Sequence, residues 1–334
     1  MKRHIGLFER ITETANLERA LYLALKGKRA RQDAIEFVSK MPESLDGVAR
    51  RIREGEGPIG EFRDFKIRDP KERIISAPCF PDRVLHHAVI GICGPVFDAW
   101  LIRQTFACRT GMGLPAALKE AARWSSCRGW YLKLDVRHYF ETVPRRLMHQ
   151  KLERLFGEVE LLRLWWQMID SHRPGSERGM PIGALTSQYL ANFYLGFLDR
   201  HIKETLRARA YARYMDDMVL WSDDRQELRE WLSSIANFAS AELGLELKPA
   251  EMNRTQHGMD FLGFRFHPGW VGLARSSRRR LRLRLKSFQE GLAAGDFSES
   301  EAQDRMTSCL SATLPARCLR YRRQLFANTP CETT

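Results

Sequence analysis

The sequence predicts an α+β fold with an antiparallel sheet, and three observations support this prediction. Segments typical of helices and strands mix along the 334 residues without a regular βαβ rhythm. Apolar runs at 211–221 and 259–267 are typical of a hairpin and a strand pair. Hydrophobic residues make up 44% of the chain and charged residues 28%, which is typical of a folded globular protein and excludes a disordered or low-complexity chain.

The first 130 residues are predicted to be mainly helical. Leucines at a spacing of four predict helix within 5–40, and the glycine- and proline-rich stretch 55–58 ends this region. Residues 62–76 predict two short strands about a turn at 69–70. Two further helices are then predicted, over 81–99 and 114–124.

The rest of the chain alternates between the two kinds of element. A strand over 130–136 leads into a helix that begins near Pro144. The polar loop 171–179, rich in proline, glycine and charge, separates the following segments. The helices predicted after Pro144 cover 158–170, 185–206 and 225–243, and they accompany the hairpin and the strand pair named above.

Positive charge is concentrated at the carboxyl end. The formal net charge is +13, and from residue 271 onward 12 Lys and Arg residues face 6 Asp and Glu residues. Uncompensated like charges repel one another, so we expect a phosphate backbone as their partner rather than only a solvated helix face. Leu281 and Leu285 predict a helix with its apolar side packed inward. Its outward cations are Arg275, Arg278, Arg279, Arg280, Arg282, Arg284 and Lys286.

Membrane and secretory features are not expected. The most apolar window, 84–102, contains His86, His87 and Asp98, and the start of the chain has no apolar signal core. The seven cysteines are widely spaced and form no C-x-x-C pair, which predicts neither a zinc site nor a disulfide framework. We therefore expect a cytoplasmic protein with no membrane partner.

Three aspartates are the strongest candidates for chemistry. Asp216 and Asp217 lie where a tight turn would form the tip of the 211–221 hairpin, and Asp135 ends the predicted strand 130–136. An antiparallel sheet can bring these positions together as an all-oxygen site for two Mg²⁺ ions, with Mn²⁺ as a possible substitute. The alternative is an ordinary turn. A second pair, Asp223 and Asp224, is more typical of a helix cap.

The flanking residues favour the catalytic interpretation. Tyr214-Met215-Asp216-Asp217 resembles the catalytic signature of reverse transcriptases, set in the expected apolar hairpin. Further blocks in the order of that family run from about residue 62 to 266. They are Lys71 to Ser76, Phe106 to Gly113, Leu134 to Phe140, Gly244 to Leu247 and Phe261 to Phe264.

The resemblance implies a right-hand polymerase with fingers, an antiparallel-sheet palm and a short helical thumb. It implies an RNA-directed DNA polymerase, with template RNA, an RNA/cDNA duplex and dNTPs as partners. The implied divisions are an N-terminal helical extension (1–54), fingers (55–130), palm (131–145), fingers and palm helices (146–178), palm (179–270) and a basic thumb (271–334).

The family pattern also assigns roles to single residues. It implies that Asp135 and Asp216 hold both metal ions with Asp217 in support. It places Lys71 and Arg73 on the triphosphate, although both also suit a plain surface strand. A bulky Phe140 would exclude a ribose 2′-hydroxyl, or is simply a core aromatic. The remaining implied roles are a primer grip at Phe261, Leu262 and Gly263, and phosphate contacts from the cations after residue 274.

One block indicates a subfamily. In the stretch 179–188, Ile182 stands where most reverse transcriptases have Gln, and Gln188 where they have Pro. This pairing resembles the enzymes of diversity-generating retroelements, in a bacterial, group II intron-like lineage. That resemblance implies error-prone copying opposite template adenine and a small basic oligomeric accessory protein. The alternatives are a plain hydrophobic swap at Ile182, a defence-associated or intron-derived reverse transcriptase, or a non-catalytic RNA-binding protein.

Overall fold

The computed structural model describes residues 3–68, 72–311, 313–319 and 321–323. The described chain mixes α-helices with strands that pair antiparallel throughout, which confirms the predicted α+β class. It forms two compact units. The first is built from Met1–Arg109, Val136–Arg207 and Ser233–Lys248, and the second from Thr110–Asp135, Ala208–Leu232 and Pro249–Thr334. The boundaries of fingers, palm and thumb stay predictions.

Helices dominate the start of the first unit. The predicted helix over 5–40 is three helices, and one cause is Gly27, whose φ of 66° favours a turn over helix. Helix α5 begins with a proline in its first turn and buries most of its length, with α2 packed along it. The helices are α1 (Phe8–Ile11), α2 (Thr14–Leu25), α3 (Gln32–Ser39), α4 (Glu43–Arg53) and α5 (Phe80–Trp100).

A two-stranded hairpin precedes α5. Strands β1 (Phe62–Arg68) and β2 (Glu72–Pro78) pair antiparallel in a register that runs from Phe62 with Pro78 to Arg68 with Glu72. The two predicted strands are therefore confirmed. The predicted turn at 69–70 lies outside the described residues.

The remaining helices of the first unit follow residue 136. They are α7 (Tyr139–Thr142), α8 (Arg145–Leu152), α9 (Val159–Asp170) and α10 (Leu185–Arg200). Stacked and edge-on aromatic rings fill the core of this unit, with Phe97 contacting Phe156, Trp165 and Phe193 at centroid distances of 5.2–5.6 Å. The predicted helix 185–206 is confirmed to Arg200, beyond which His201–Thr205 is π-helical.

A four-stranded antiparallel sheet forms the centre of the second unit. Its strand order is β4-β5-β3-β6, and α6 (Leu114–Cys127) packs against it. Strand β6 was not predicted, because its sequence EMNR has no run of β-branched or aromatic residues. The strands are β3 (Trp130–Leu134), β4 (Ala210–Tyr214), β5 (Asp217–Ser222) and β6 (Glu251–Arg254).

A smaller sheet and two helices complete the second unit. Strands β7 (Met259–Phe261), β8 (Phe264–His267) and β9 (Trp270–Leu273) form an antiparallel meander. Helix α12 (Arg275–Ala293) follows with Leu281 and Leu285 buried, as predicted, and α13 (Glu299–Ser311) packs against it. Helix α11 (Arg225–Leu243) coincides with its prediction. Among the described helices, none has the length and apolar character needed to cross a membrane.

Candidate active site

The β4–β5 hairpin turns within two residues. Tyr214 pairs with Asp217, which leaves Met215 and Asp216 as the turn. Met215 has a φ of 55°, whereas the φ of Asp216 is not positive. A positive φ at the first turn residue alone is the sign of a type II′ turn, and this position is usually given to glycine. The buried guanidinium of Arg213 donates Nη1–H to the Met215 carbonyl at 2.9 Å. This bond braces the strained turn that presents Asp216.

The sheet register brings Asp135 to the same end. Leu134 of β3 pairs with Met218 of β5. Asp135 follows Leu134 and Asp217 precedes Met218, so one further step of the register sets these two aspartates opposite each other. All three aspartates are half-buried. Sequence and topology together therefore gather three carboxylates at one edge of the central sheet.

The carboxylates match the ligand preference of Mg²⁺ and Mn²⁺. Within the described residues, no three His, Cys, Asp or Glu side chains are arranged to hold a metal ion by themselves. Mg²⁺ at phosphate-transfer sites is usually held by one or two carboxylates together with substrate phosphates and waters, rather than by a protein cage. The donor set at this edge fits such a shared site.

Two hydrogen bonds fix the strand that ends in Asp135. The Tyr131 hydroxyl donates to Glu251 Oε1 at 2.5 Å and so ties β3 to β6. Burial, with the neighbouring Glu251 carboxylate, raises the pKa of Tyr131, so the phenol stays a donor. Lys133 donates from Nζ to the Asp260 carbonyl at 3.0 Å. These partners were not predicted, because they depend on contacts about 120 residues apart in the chain.

The turn between β7 and β8 contains the predicted primer grip. Leu262 and Gly263 have φ values of 50° and 83°, and two positive values in a two-residue hairpin indicate type I′. The Gly263 carbonyl accepts a hydrogen bond from the Ala274 amide at 3.0 Å. Phe261 is 1% exposed, so its ring belongs to the core of the second unit.

In the first unit, the Ile182 backbone is docked on strand β2. The Ser76 amide donates to the Ile182 carbonyl at 2.8 Å. A Cβ at Gly183 would lie 2.8 Å from Ile75 Cγ2, so the glycine is needed for this approach. The Ile182 side chain is half-buried. Gln188 is exposed on α10, and its Oε1 accepts a hydrogen bond from Cys108 Sγ at 3.7 Å.

The other predicted nucleotide-binding residues are placed as follows. Phe140 is half-buried in α7, and its carbonyl accepts the Met180 amide at 2.7 Å. Arg73 is exposed on β2, opposite Ile67. Lys71 lies outside the described residues. Sequence reasoning missed the buried His86, whose Nδ1 contacts Thr186 Oγ1 at 2.7 Å in the block that follows Ile182.

The predicted phosphate-contacting cations lie on α12. Arg280 is half-buried and donates Nη2–H to Ser277 Oγ at 3.2 Å. Lys286 forms an ion pair with Glu290 at 3.5 Å. The exposed members of the set are Arg275, Arg278, Arg279, Arg282, Arg284 and Lys286. This helix therefore presents one strongly positive surface within the second unit.

The chain is similar to known proteins along most of its length. Residues 66–266 match the family described as reverse transcriptase (RNA-dependent DNA polymerase). The Escherichia coli protein YkfC is 23% identical over 314 residues, which cover 78% of this chain and 82% of that protein. The Saccharomyces cerevisiae putative COX1/OXI3 intron 1 protein is 19% identical over 156 residues, covering 44% of this chain and 17% of that protein.

Solved structures show a likeness of fold. Apo telomerase from Candida tropicalis, truncated from its C-terminal domain, superposes with a TM-score of 0.50 at 11% identity, over 67% of this chain and 58% of that one. Telomerase from Candida albicans with a TWJ fragment of telomeric RNA gives a TM-score of 0.48 at 12% identity, over 85% and 58%. The first likeness, with the family match, confirms the predicted right-hand polymerase fold.

Proposed function

Because the chain belongs to the reverse transcriptase family and is an RNA-directed DNA polymerase, we propose that it makes cDNA with Asp135, Asp216 and Asp217 as its active-site carboxylates. The observation that carries this proposal is the sheet register, which sets Asp135 opposite Asp217 beside the turn that holds Asp216. Three carboxylates at one sheet edge repel each other unless cations neutralise them, as a phosphoryl-transfer site requires.

Two divalent ions, Mg²⁺ or Mn²⁺, are proposed to be held by Asp135 and Asp216, with Asp217 in support. When bound, such ions supply an activated primer 3′-hydroxyl and neutralise charge on the leaving pyrophosphate. Arg213 fixes the turn, so the hairpin holds the Asp216 backbone in place for its carboxylate to bind the ions.

The incoming dNTP is proposed to contact residues of the first unit. Arg73, exposed on β2, offers a bidentate fork to the triphosphate, and Lys71 offers a point charge. Phe140 is proposed to exclude the 2′-hydroxyl of a ribonucleotide by its bulk. Ile182 and Gln188 are proposed to line the nucleotide site.

The template RNA and the RNA/cDNA duplex are proposed to contact the second unit. The exposed cations of α12 suit the phosphates of the duplex, and such contacts position it without reading its sequence. The primer grip is proposed to act through the backbone of the Leu262-Gly263 turn, because the Phe261 ring is buried.

A diversity-generating role is the finer proposal. A glutamine at this position can hydrogen-bond near the sugar and base of the incoming nucleotide, whereas Ile182 cannot. A polar contact that would discriminate against mispaired nucleotides is therefore lost. We expect errors opposite template adenine, a small basic oligomeric accessory protein as partner, and a cytoplasmic location. The likeness to a yeast intron protein favours an intron-derived enzyme as the second candidate.

Primer extension on an RNA template with dNTPs and Mg²⁺, followed by sequencing of the cDNA, tests the proposal. The Asp216→Asn variant is expected to make no product, because it removes a carboxylate from the sheet edge. Asp224→Asn is the matched control, since Asp224 Oδ1 accepts the Gln226 amide at 2.7 Å at the start of α11. That variant is expected to keep its activity and most of its stability, because the asparagine Oδ1 can still accept the Gln226 amide and asparagine caps a helix about as well as aspartate.

The outcomes separate the candidate functions. Errors clustered opposite adenine support the diversity-generating role, whereas accurate cDNA supports the intron-derived or defence-associated enzyme. If neither protein synthesises cDNA even with the native RNA and an accessory protein, while both bind RNA equally in a salt-dependent manner, the non-catalytic interpretation holds and the proposed catalytic role of the aspartates is wrong.

A further inference from the structure

A positively charged cavity lies within the first unit and shares none of its lining residues with the proposed polymerase site. It has a volume of about 440 Å³, within the range of small-ligand sites. Its walls come from the ends of α5, α8 and α10 and from the amino-terminal segment. Its lining includes Arg3, Trp100, Lys151, Arg154, Phe197 and Arg200.

Lys151 is the central feature of this cavity. The residue is 7% exposed, and among the described residues no hydrogen-bond acceptor or carboxylate pairs with its ammonium group. The group lies over the rings of Phe197 and Tyr194, at 4.4 and 5.8 Å from their centroids. Burial lowers the pKa of Lys151, the nearby Arg154 lowers it further, and Glu242 raises it. The ammonium group therefore contacts aromatic rings and has no hydrogen-bond or ion-pair partner among the described residues, although Glu242 acts on it at longer range.

Arg200 of α10 also lies against an aromatic ring, but it has hydrogen-bond and carboxylate partners as well. Its guanidinium lies 4.8 Å from the Trp100 ring, donates to the Trp100 carbonyl at 2.8 Å and pairs with Glu204 at 2.7 Å. Its Nε, however, is buried and has no hydrogen-bond partner among the described residues. Buried donors are normally satisfied, so this donor, in a residue that lines the cavity together with Lys151, indicates a missing acceptor.

Two exposed arginines complete the positive lining. Arg154 lies in the turn that follows α8, where its amide donates to the Lys151 carbonyl at 3.2 Å. Arg3 is held at the cavity because the next residue, His4, bridges to Phe156 and donates its amide to the Leu155 carbonyl at 2.9 Å. The lining includes no Asp or Glu. Four cations therefore converge on a space that no carboxylate lines.

We propose that this cavity is an anion site that binds a phosphate group, either a phosphate of an RNA strand or a free phosphate. The aromatic rings hold Lys151 and Arg200 in place, so both cations are already positioned before the anion binds. A phosphate has several acceptor oxygens and so can hydrogen-bond to the Lys151 ammonium and the Arg200 Nε at once. A single carboxylate on a folded partner protein reaches into this cavity less readily.

Binding in the absence of Mg²⁺ tests the proposal on the full chain. The probes are sodium phosphate, read as a rise in melting temperature against NaCl of equal ionic strength, and a short fluorescein-labelled single-stranded RNA, read by anisotropy in EDTA. The variants are Lys151→Met, which keeps most of the length of the side chain and removes its charge, and Arg154→Gln at the exposed rim. Arg146→Gln is the matched control, because Arg146 is exposed on α8 and does not line the cavity.

The expected results differ for the two sources of phosphate. For RNA, both variants weaken binding about fivefold and reduce the slope of log K against log salt by about 0.7, while Arg146→Gln changes neither. For free phosphate, both variants lose the phosphate-dependent rise in melting temperature and bind RNA as the wild type does. Lys151→Met alone is expected to melt no lower than the wild type, because it removes a buried charge without an anion.

The contrary results are equally specific. The proposed phosphate site is wrong if both variants behave as the wild type does with both probes. It is also wrong if Arg146→Gln loses as much binding as Lys151→Met and Arg154→Gln do. If Lys151→Met fails to fold, its charge is structural, and Arg154→Gln then decides whether a phosphate binds. The Asp216→Asn variant is expected to bind both probes normally, so failure of this site and failure of the proposed polymerase function are distinguishable.

Discussion

Gly263 lies directly against Ser277: a Cβ added at the glycine would be 2.8 Å from the serine Oγ. The contact locks the type I′ turn of the small sheet to the first turn of the arginine-rich helix α12. The Gly263 carbonyl of the same turn accepts a hydrogen bond from the Ala274 amide. The proposed primer grip and the proposed phosphate-binding helix are therefore one rigid piece of the second unit.

Replacement of Gly263 by alanine is expected to destabilise the protein by about 2–3 kcal/mol, since it combines left-handed backbone strain with a side-chain clash. Gly269→Ala is the matched control: its φ is also positive, at 72°, but nothing lies within 4 Å of the added Cβ, so about 1 kcal/mol is expected. Urea unfolding measures both. Adding Ser277→Ala to the first variant should recover part of the loss, and equal costs for the two glycines would contradict the contact.

Local sequence patterns predicted the elements that carry their own periodicity. The 225–243 helix and the hairpin with Asp216 and Asp217 at its tip were both predicted, because amphipathic spacing and a tight turn are local properties. Strand β6 was missed since three of its four side chains are polar and its pairing with β3 depends on a partner far along the chain. The same limit hid the division of the 5–40 helix.

The candidate site was predictable only in part, for the same physical reason. The three aspartates could be found from flanking apolar runs, but the buried polar contacts of the first unit could not. Arg145 belongs to a stretch typical of an exposed helix, yet it is buried by a loop about 30 residues later. His86 was noted only as an obstacle to a membrane span, and its contact with Thr186 depends on packing of α5 against α10.

His86 is expected to make stability depend on pH. Complete burial lowers its pKa from 6.5 to about 3, and the nearby His87 and Arg83 contribute. Below pH 6.5 the unfolded chain binds this proton and the folded chain does not, so the free energy of unfolding falls as the pH decreases toward 3. At 1.36 kcal/mol per pH unit, the loss reaches about 2 kcal/mol at pH 5.

The variant His86→Gln tests this assignment, since glutamine can still contact Thr186 but does not titrate. Urea unfolding at several pH values should give a clearly smaller loss between pH 7 and pH 5 than the wild type shows. His257→Gln removes an exposed histidine and is expected to leave the wild-type slope in place. A slope unchanged in His86→Gln would show that other groups govern acid stability; His87, whose pKa is lowered to about 4, would be examined next.

Arg145 is expected to be the side chain that holds the 171–179 loop. It is 1% exposed and donates Nε–H to the Gly179 carbonyl at 2.9 Å, Nη2–H to the His172 carbonyl at 2.5 Å and Nη1–H to Asp170 at 2.9 Å. Arg145→Met leaves these acceptors unpaired and should cost about 3–5 kcal/mol.

Denaturant unfolding and limited proteolysis measure the effect of Arg145→Met. Cleavage is expected to appear within 171–179, because the carbonyls of this loop lose the Arg145 guanidinium as their hydrogen-bond donor. The neighbouring exposed residue supplies the control: Arg146→Met should stay within about 0.5 kcal/mol of the wild type and leave the loop resistant. Equal stability of the two variants would mean that the loop is held by its backbone contacts alone.

Ile182→Gln is expected to lower the error frequency opposite template adenine by severalfold while the rate of correct incorporation changes little. The backbone at this position is fixed by the Ser76 amide and by the close approach of Gly183 to Ile75, so a longer polar side chain does not shift the peptide. Only the chemistry presented to the proposed nucleotide site changes, from an aliphatic surface to an amide that can hydrogen-bond. A mispaired dNTP then has to leave that amide unsatisfied, which costs about 1–3 kcal/mol.

Sequencing of cDNA from the two proteins on one RNA template measures the difference. Ile182→Leu, which keeps the apolar character, should retain the wild-type error spectrum. If Ile182→Gln and Ile182→Leu give the same spectrum, the residue is a plain hydrophobic substitution and any adenine-directed errors have another source.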